Sequence, residues 1–155
     1  MNNKISMQEL LPFIEEALNN NKTFTIPITG TSMLPLLVKG RDTVTIKKCE
    51  ARLKKGDLPL YRRQDGSFVL HRVVSVEADG TYTMCGDNQF LKEKGIAHTA
   101  IIGVVTAITR NGKTFSVDSK KYQLYVKLGL VLLNVRYPYK RLRYGIHLLK
   151  LRIKN

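Results

Sequence analysis

Ser32 is the residue of this chain whose type and local sequence best suit nucleophilic chemistry. Gly30, two residues earlier, permits a tight turn that would present the serine hydroxyl, and Pro35 stands where a short helical turn would begin. Such a turn would direct backbone N–H groups toward the serine, as a developing oxyanion requires. Ser32 is therefore a candidate nucleophile, with an ordinary turn serine as the alternative.

The base that activates such a serine can be sought by elimination. No lysine occurs between Lys55 and Lys92, and the one neutral-pH base in that interval is His71, which we expect inside a strand over Ser67–Val76. Histidine suits general-base chemistry because its pKa lies near neutrality. A lone histidine at such a position is more often a strand residue with structural hydrogen bonds, so its role depends on its partners.

Three aspartates could orient His71 and stabilise its imidazolium form. Asp87 is favoured because it follows the next strand, in the sequence Gly86-Asp87-Asn88. Asp57 directly follows Gly56, and Asp42 stands two residues after Gly40, so both are better explained as turn residues.

The chain is predicted to begin with a helix. Ser6 and Glu9 have the spacing of a capping box, and apolar residues follow at helical spacing as far as Leu18. Pro12 either kinks this helix or marks its true first turn, over Pro12–Asn19. The helix either packs on the core or lies at a membrane interface.

The middle of the chain has the alternation and the β-branched residues that are typical of strands. Asn111 and Gly112 predict a hairpin. Short strands separated by turns indicate a mainly β core. The predicted strands are Thr23–Ile28, Asp42–Lys47, Ser67–Val76, Gly80–Met84, Ala100–Thr109 and Thr114–Val117.

The net charge of +14 is concentrated in the C-terminal part of the chain. Residues 119–155 hold ten Lys and Arg and no Asp or Glu, whereas residues 1–118 hold 16 Lys and Arg against 12 Asp and Glu. Leu142, Ile146, Leu149 and Ile153 recur at helical spacing among basic residues, which predicts a basic amphipathic helix. Each basic residue near an anionic leaflet contributes about 1 kcal/mol, so residues 119–155 predict binding to an anionic membrane surface, with a solvated helix face as the alternative.

These patterns predict three parts: a helical segment over residues 1–22, a core over 23–118 and a basic amphipathic helical tail over 119–155. Hydrophobic residues make up 43% and charged residues 25%, which is ordinary for a folded globular chain. Cys49 and Cys85 have neither a CxxC spacing nor a nearby histidine, so we expect reduced packing residues rather than a metal site.

The candidate residues lie in five short boxes along the chain. The boxes are Gly30-Thr31-Ser32-Met33-Leu34-Pro35, Gly40-Arg41-Asp42-Thr43-Val44, Lys55-Gly56-Asp57-Leu58, Val69-Leu70-His71-Arg72-Val73-Val74 and Gly86-Asp87-Asn88. Their sequences and order resemble the signal-peptidase and SOS-repressor peptidase superfamily. A histidine at the position of the base is similar to the endoplasmic-reticulum, archaeal and some Gram-positive signal peptidases, whereas most bacterial signal peptidases and the self-cleaving SOS proteins have lysine.

The resemblance implies a coiled all-β peptidase core that hydrolyses a peptide bond through an acyl-enzyme, without a metal or a cofactor. It implies Ser32 as nucleophile, His71 as base and Asp87 as the orienting acid.

The resemblance also indicates where substrate would bind. Gly30 stands where many relatives have a hydroxyl that donates to the oxyanion, so the Ser32 N–H and the Thr31 hydroxyl would have to serve. Met33 and Leu34 are expected beside the substrate cleft, with plain core packing as the alternative. Small apolar pockets there would fit small residues flanking the scissile bond.

The sequence contains neither a secretory signal nor an uncharged apolar stretch of membrane-spanning length. We therefore expect a cytoplasmic protein or a peripheral one at the cytoplasmic face of a membrane, cleaving a leader peptide or a dedicated protein partner. The alternatives are a self-cleaving regulator and a non-catalytic binding protein on the same fold. A nucleic-acid partner is not expected, and the oligomeric state is not indicated.

Overall fold

A helix and nine strands lie within residues 7–132, the residues that the computed structural model describes. A second helical segment follows over residues 120–132. The elements are α1 (Met7–Asn19), β1 (Phe24–Pro27), β2 (Asp42–Lys47), β3 (Pro59–Arg62), β4 (Phe68–Leu70), β5 (Arg72–Val76), β6 (Tyr82–Cys85), β7 (Glu93–Ile96), a 3-10 turn (His98–Ala100), β8 (Ile101–Arg110) and β9 (Lys113–Ser116).

The mainly β fold expected from the sequence is confirmed, and its strands form two antiparallel sheets. The larger sheet has the order β1-β2-β8-β3-β4, with β9 paired to β8, and the smaller has the order β5-β6-β7. Register shifts in the β2–β8 and β3–β8 pairs bend the larger sheet. As a result β1 and β4, which end its strand order, flank one cleft.

The predicted N-terminal helix is confirmed, and it begins at Met7 rather than at Pro12. Pro12 lies on the exposed side of α1, and Ile14 and Leu18 on the other side are buried. These two residues pack into the same apolar cluster as Val44 and Ile108 of the larger sheet, so α1 contributes to the main core. The predicted capping residue Ser6 lies outside the described residues.

The single strand predicted over Ser67–Val76 is wrong, because the chain changes sheets at its centre. Leu70 pairs with Leu60 of β3, whereas Arg72 pairs with Cys85 of β6. His71 is the residue between these two pairings and is therefore outside both strands. This crossing places the histidine at the junction of the two sheets.

Two strands, β3 and β7, have no clear sequence signal. β3 begins at Pro59 and ends at Arg62, and β7 reads Glu-Lys-Gly-Ile, a composition that strands disfavour. Both exist because apolar neighbours pair with them: β8 and β4 flank β3, and β6 pairs with β7.

Helical residues 120–132 pack against the sheet through Tyr122 and Val126, which join the main apolar cluster. None of the helices in the described part of the chain is long and apolar enough to cross a bilayer. The amphipathic repeat predicted from Leu142 to Ile153 lies outside the described residues, and the predicted three-part division stays a prediction.

Candidate active site

Ser32 lies on the loop between β1 and β2, and buried contacts hold both ends of this loop. The Ile28 N–H donates to the Asp42 carbonyl at 3.1 Å, and the Leu37 N–H donates to the Met33 carbonyl at 2.9 Å. A single helical turn, closed by this Leu37–Met33 bond, begins before Pro35 rather than at it as predicted, and residues 32–36 form hydrogen-bonded turns.

Asp42 fixes the far end of this loop and is a structural residue, as the turn interpretation expected. Its buried carboxylate accepts a hydrogen bond from the Val38 N–H at 2.9 Å and ion pairs with Arg41 and Arg110. Hydrogen bonds from Arg41 hold the pKa of the Asp42 carboxyl well below its usual range, with Arg110 contributing further. The loop that carries Ser32 is thus held by a permanently charged anchor.

The turn at residues 86–88 supports Ser32 from the opposite side. The Asn88 N–H donates to the Ser32 carbonyl at 2.7 Å, and the Asn88 side-chain amide donates to the Thr31 carbonyl at 3.4 Å. A Cβ atom at Gly86 would lie only 2.7 Å from the Ser32 carbonyl oxygen and 3.1 Å from its Cβ. Glycine is therefore required for this close approach.

His71 is 1% exposed, and its Nδ1 atom lies in a polar cluster contributed by β3 and β7. Nδ1 is 3.1 Å from Oε1 of Glu93 and 3.3 Å from the Tyr61 hydroxyl. Tyr61 in turn donates to Oε2 of Glu93 at 2.9 Å, and Arg63 donates to the same oxygen at 2.7 Å. The four side chains form one hydrogen-bonded cluster.

The charges in this cluster determine which nitrogen of His71 carries the proton. Burial alone would raise the pKa of Glu93, but hydrogen bonds from Arg63 and Tyr61 lower it, so the carboxylate is ionised at neutral pH. An ionised carboxylate only accepts hydrogen bonds, so Nδ1 of His71 is the donor in this contact. In the neutral ring Nε2 is then the unprotonated nitrogen.

Burial also lowers the pKa of His71 itself, although the charge of Glu93 opposes this shift. The imidazole is therefore neutral at pH 7. Among the described residues, none accepts from or donates to Nε2, so its lone pair is available to take a proton. These are the properties required of a general base.

Asp87, which we predicted to orient His71, forms its contacts with Arg72 instead. The Arg72 guanidinium donates to both carboxylate oxygens of Asp87, each at 2.7 Å, and the two side chains are 2% and 9% exposed. The carboxylate adjacent to Nδ1 is that of Glu93.

Arg72 also connects this ion pair to two other parts of the molecule. Its Nη1 atom donates to the Gly56 carbonyl at 2.9 Å and to the Tyr122 hydroxyl at 3.2 Å. The Tyr125 hydroxyl donates to Asp87 at 3.3 Å. Burial, together with the charge of Asp87, raises the pKa of Tyr125 to about 12.

Asp57 is a turn residue, as expected, because its carboxylate accepts a hydrogen bond from the Lys54 N–H at 2.7 Å.

Ser32 and His71 line one cavity of about 260 Å³. Its walls come from the end of β1, from β4 and from the first residue of α1, and most of its lining is apolar. The lining residues are Met7, Ile26, Pro27, Ile28, Thr29, Gly30, Ser32, Met33, Leu60, Arg63, Phe68, Val69, Leu70, His71 and Gln89.

The backbone at this cavity is open to an extended peptide. β1 pairs with β2 alone and β4 with β3 alone among the described strands, so each presents an unpaired edge to the cleft. An extended peptide can add to such an edge by main-chain hydrogen bonds, with alternate side chains entering the pocket.

The backbone N–H of Ser32 forms no hydrogen bond with a described residue, which leaves it available for an oxyanion. Within residues 7–132, no hydrogen bond joins the Ser32 hydroxyl to His71 either. Reaction would therefore require the Ser32 hydroxyl and His71 to move into hydrogen-bond distance when substrate binds. Such bonds are often long or absent in catalytic sites without substrate.

The four residues predicted beside the cleft differ in whether they line the cavity. Gly30 lines the cavity, and Met33 both lines it and is buried in the core, so its two predicted roles coincide. Thr31 is exposed outside the cavity lining and Leu34 is partly buried outside it. Thr31 instead contributes its carbonyl, which accepts hydrogen bonds from Leu34 and Asn88.

Sequence reasoning missed Glu93, Tyr61 and Arg63. Glu93 occurs in the charged run Leu91-Lys92-Glu93-Lys94, which resembles a solvated turn. Tyr61 belongs to β3, a strand that was not predicted, and Arg63 directly follows the last residue of that strand. The missing signal was the register of β7, which pairs Glu93 with Met84 of β6.

Within residues 7–132, no group of three or more His, Cys, Asp or Glu side chains is arranged to hold a metal ion.

Comparison with protein-family models gives one match, to the family described as Peptidase S24-like, over residues 2–106. The matched residues make up more than half of the chain and include every residue that lines the cavity. A search of curated proteins found no match.

Proposed function

Because the chain belongs to the S24-like peptidase family, we propose that it is a serine peptidase in which Ser32 is the nucleophile and His71 is the general base. One observation supports this proposal most strongly. The serine hydroxyl and a buried, neutral histidine with a free Nε2 line the same apolar cavity.

We assign the orienting role to Glu93. Its ionised carboxylate accepts the Nδ1–H of His71, which fixes the ring tautomer and stabilises the imidazolium that forms during reaction. Tyr61 and Arg63 hold this carboxylate in place. Asp87 acts as a positioning residue through Arg72, the residue next to the base.

The reaction proceeds by acyl transfer in two steps. His71 Nε2 removes the proton from the Ser32 hydroxyl as Oγ attacks the scissile carbonyl, and the Ser32 N–H donates to the resulting oxyanion. When the C–N bond breaks, the protonated His71 gives its proton to the leaving amine. A water, activated by the same histidine, then hydrolyses the acyl-enzyme and regenerates Ser32.

The proposed substrate is an extended peptide with small apolar residues next to the scissile bond. The cavity of about 260 Å³ is too small for a series of large side chains, and its many apolar lining residues favour small apolar ones. These features support cleavage of the signal-peptidase or leader-peptidase type. The assignment to the histidine-base branch of the superfamily is also part of this proposal and rests on His71.

A peptide-library digest tests this proposal. We expect the wild-type chain to cleave peptides that carry small residues on either side of the cut, and we expect Ser32→Ala to abolish cleavage. Cleavage that persists in Ser32→Ala would contradict the assignment of the nucleophile. Thr29→Ala, which changes a hydroxyl at the same cleft, is the matched control and should keep activity within a few-fold.

A second candidate is cleavage of the chain's own N-terminal segment. One observation favours it: Met7, at the start of α1, lines the catalytic cavity. Intact-mass analysis after long incubation distinguishes the two candidates. Self-cleavage predicts that wild type loses N-terminal residues at a rate independent of protein concentration and that Ser32→Ala does not lose them. A peptidase that acts on other chains should instead keep a stable mass while it cleaves peptides.

A further inference from the structure

The helical residues 120–132 have two chemically different faces. On the inner face, Tyr122 and Val126 are buried in the main core, and Tyr122 and Tyr125 form hydrogen bonds with the Arg72–Asp87 pair. The inner face therefore fixes both the position and the rotation of the helix.

The outer face of this helix is apolar and exposed. Leu124, Leu128, Val131 and Leu132 are 58%, 55%, 65% and 50% exposed, respectively. Their spacing places all four on one side of the helix. Large apolar side chains grouped in this way on a surface mark an interaction site more often than isolated ones do.

Basic residues border this apolar stripe. Lys120, Lys121 and Lys127 are exposed, and none of them forms an ion pair within the described part of the chain. The remaining sequence, residues 133–155, adds seven Lys and Arg and no Asp or Glu. An apolar stripe flanked by lysines and followed by a basic segment is complementary to an anionic lipid surface, which offers both acyl chains and negative headgroups.

We propose that residues 120–132 dock on an anionic lipid surface, with Leu124, Leu128, Val131 and Leu132 inserted at the boundary between headgroups and acyl chains. Docking adds contacts on the outer side of a helix whose inner face contacts the Arg72–Asp87 pair. The consequence for catalysis, which rests on the proposed peptidase function, is that lipid binding stabilises the reactive arrangement of the site.

The route from the helix to the site is short. Arg72 directly follows His71 in the chain, and Asp87 stands between Gly86 and Asn88, both of which contact the Ser32 segment. A displacement of Tyr122 or Tyr125 therefore acts on the segments that carry both catalytic residues. Tyr122 and Tyr125 are positioning residues, since they contact neither Ser32 nor His71 in the structure.

Vesicle co-sedimentation with the full chain tests the docking surface. We expect wild type to bind phosphatidylcholine vesicles that contain phosphatidylglycerol and to bind pure phosphatidylcholine weakly. The double variant Leu124→Gln/Leu128→Gln should bind at least about tenfold more weakly, because two leucines no longer enter the lipid. Phe13→Gln, which changes an equally exposed apolar residue on α1, should bind like wild type.

Three results would overturn the docking proposal: no binding to the anionic vesicles, equal binding to both kinds of vesicle, or unchanged binding by the double variant. A concentration-dependent dimer of wild type that the double variant abolishes, measured by light scattering, would also overturn it, because a second copy would then cover this face. Ser32→Ala should bind vesicles normally, so failure of the peptidase proposal would leave this measurement valid.

The catalytic consequence is tested by the rate at which a fluorophosphonate phosphonylates Ser32. We expect anionic vesicles to raise this rate at least about fivefold in wild type, the lower range of ordinary coupling between sites. Tyr125→Phe should bind vesicles but lose the rate increase. An increase that persists in Tyr125→Phe would overturn the coupling. So would the absence of an increase in a wild type that binds vesicles and is phosphonylated without them.

Discussion

At the residue scale, the site depends on one ionised carboxylate adjacent to a buried histidine. Desolvation opposes the charged form of His71, and Glu93 opposes that effect. The balance keeps the imidazole neutral at rest and able to take a proton when the serine reacts. The side chains that create this balance come from β3 and β7, the two strands with the weakest sequence signal.

Replacing Glu93 with Gln should therefore lower peptide cleavage by about 10²-fold or more, the contribution expected of general-base catalysis. The amide removes the charge that stabilises the imidazolium, and its NH₂ group can donate to Nδ1, which would leave the proton on Nε2. The measurement is kcat/KM as a function of pH, with thermal unfolding to confirm the fold. Activity within about threefold of wild type would exclude Glu93 from the mechanism.

Asp79→Asn is the matched control for this substitution. It removes one negative charge from an exposed turn, where Asp79 accepts hydrogen bonds from the N–H and the hydroxyl of Thr81. Its kcat/KM should equal that of wild type at every pH.

At the element scale, two glycine-containing turns position Ser32 and His71. The turn at residues 86–88 supports the Ser32 loop by hydrogen bonds and by close backbone contact, and the turn at Gly56 receives a hydrogen bond from Arg72. The sequence boxes that carried the resemblance are thus largely the segments that hold the site together. Their glycines and aspartates serve backbone geometry, whereas the serine and the histidine serve the proposed chemistry.

Gly86→Ala should destabilise the fold by about 1–3 kcal/mol, since the added Cβ meets a backbone oxygen that cannot move aside cheaply. It should also slow acylation of Ser32, because the displaced atoms belong to that residue. Gly129→Ala is the control: a Cβ there meets nothing within 4 Å, and alanine in a helix should stabilise by about 0.5–1 kcal/mol. Equal stability of the two variants in urea unfolding would contradict this role for Gly86.

At the scale of the whole molecule, the Arg72–Asp87 pair joins four parts of the chain: β5, the turn at residues 86–88, the turn at Gly56 and the helix over residues 120–132. Burial alone would lower the pKa of Arg72, but the hydrogen bonds and charge of Asp87 raise it. The Arg72 guanidinium is therefore charged in the interior, and its ion pair with Asp87 offsets the cost of its desolvation.

Asp87→Asn should lower the free energy of unfolding by about 3–5 kcal/mol, because it leaves the Arg72 charge buried without its partner. Asp65→Asn, at an exposed turn, should change it by less than about 0.5 kcal/mol. The pH profile of any residual activity in Asp87→Asn should keep the wild-type midpoint, unlike that of Glu93→Gln. If Asp87→Asn shifted the midpoint of the pH profile and kept the stability of wild type, Asp87 rather than Glu93 would be the residue that orients His71.

The sequence predicted the elements that have strong local signals and missed those created by their neighbours. α1, β2, β8 and the Asn111-Gly112 hairpin each have a periodicity or a turn signal of their own. β3 and β7 exist because apolar strands pair with them, and the break at His71 exists because two sheets compete for one apolar run. Pairing between distant strands is not encoded locally, so Glu93 could not be found beside His71.

The most direct test of the central claim is the intact mass of the full chain after incubation with a fluorophosphonate, from about pH 5 to about pH 8. We predict one added group at Ser32, absent in Ser32→Ala and strongly reduced in His71→Gln. Only a neutral histidine accepts a proton, and burial lowers the pKa of His71 below about 6.5, so labelling should increase through a midpoint below that pH and reach its plateau by neutrality. A folded wild-type chain that stays unlabelled across this range, or labelling that is unchanged in His71→Gln, would contradict the proposed catalytic pair.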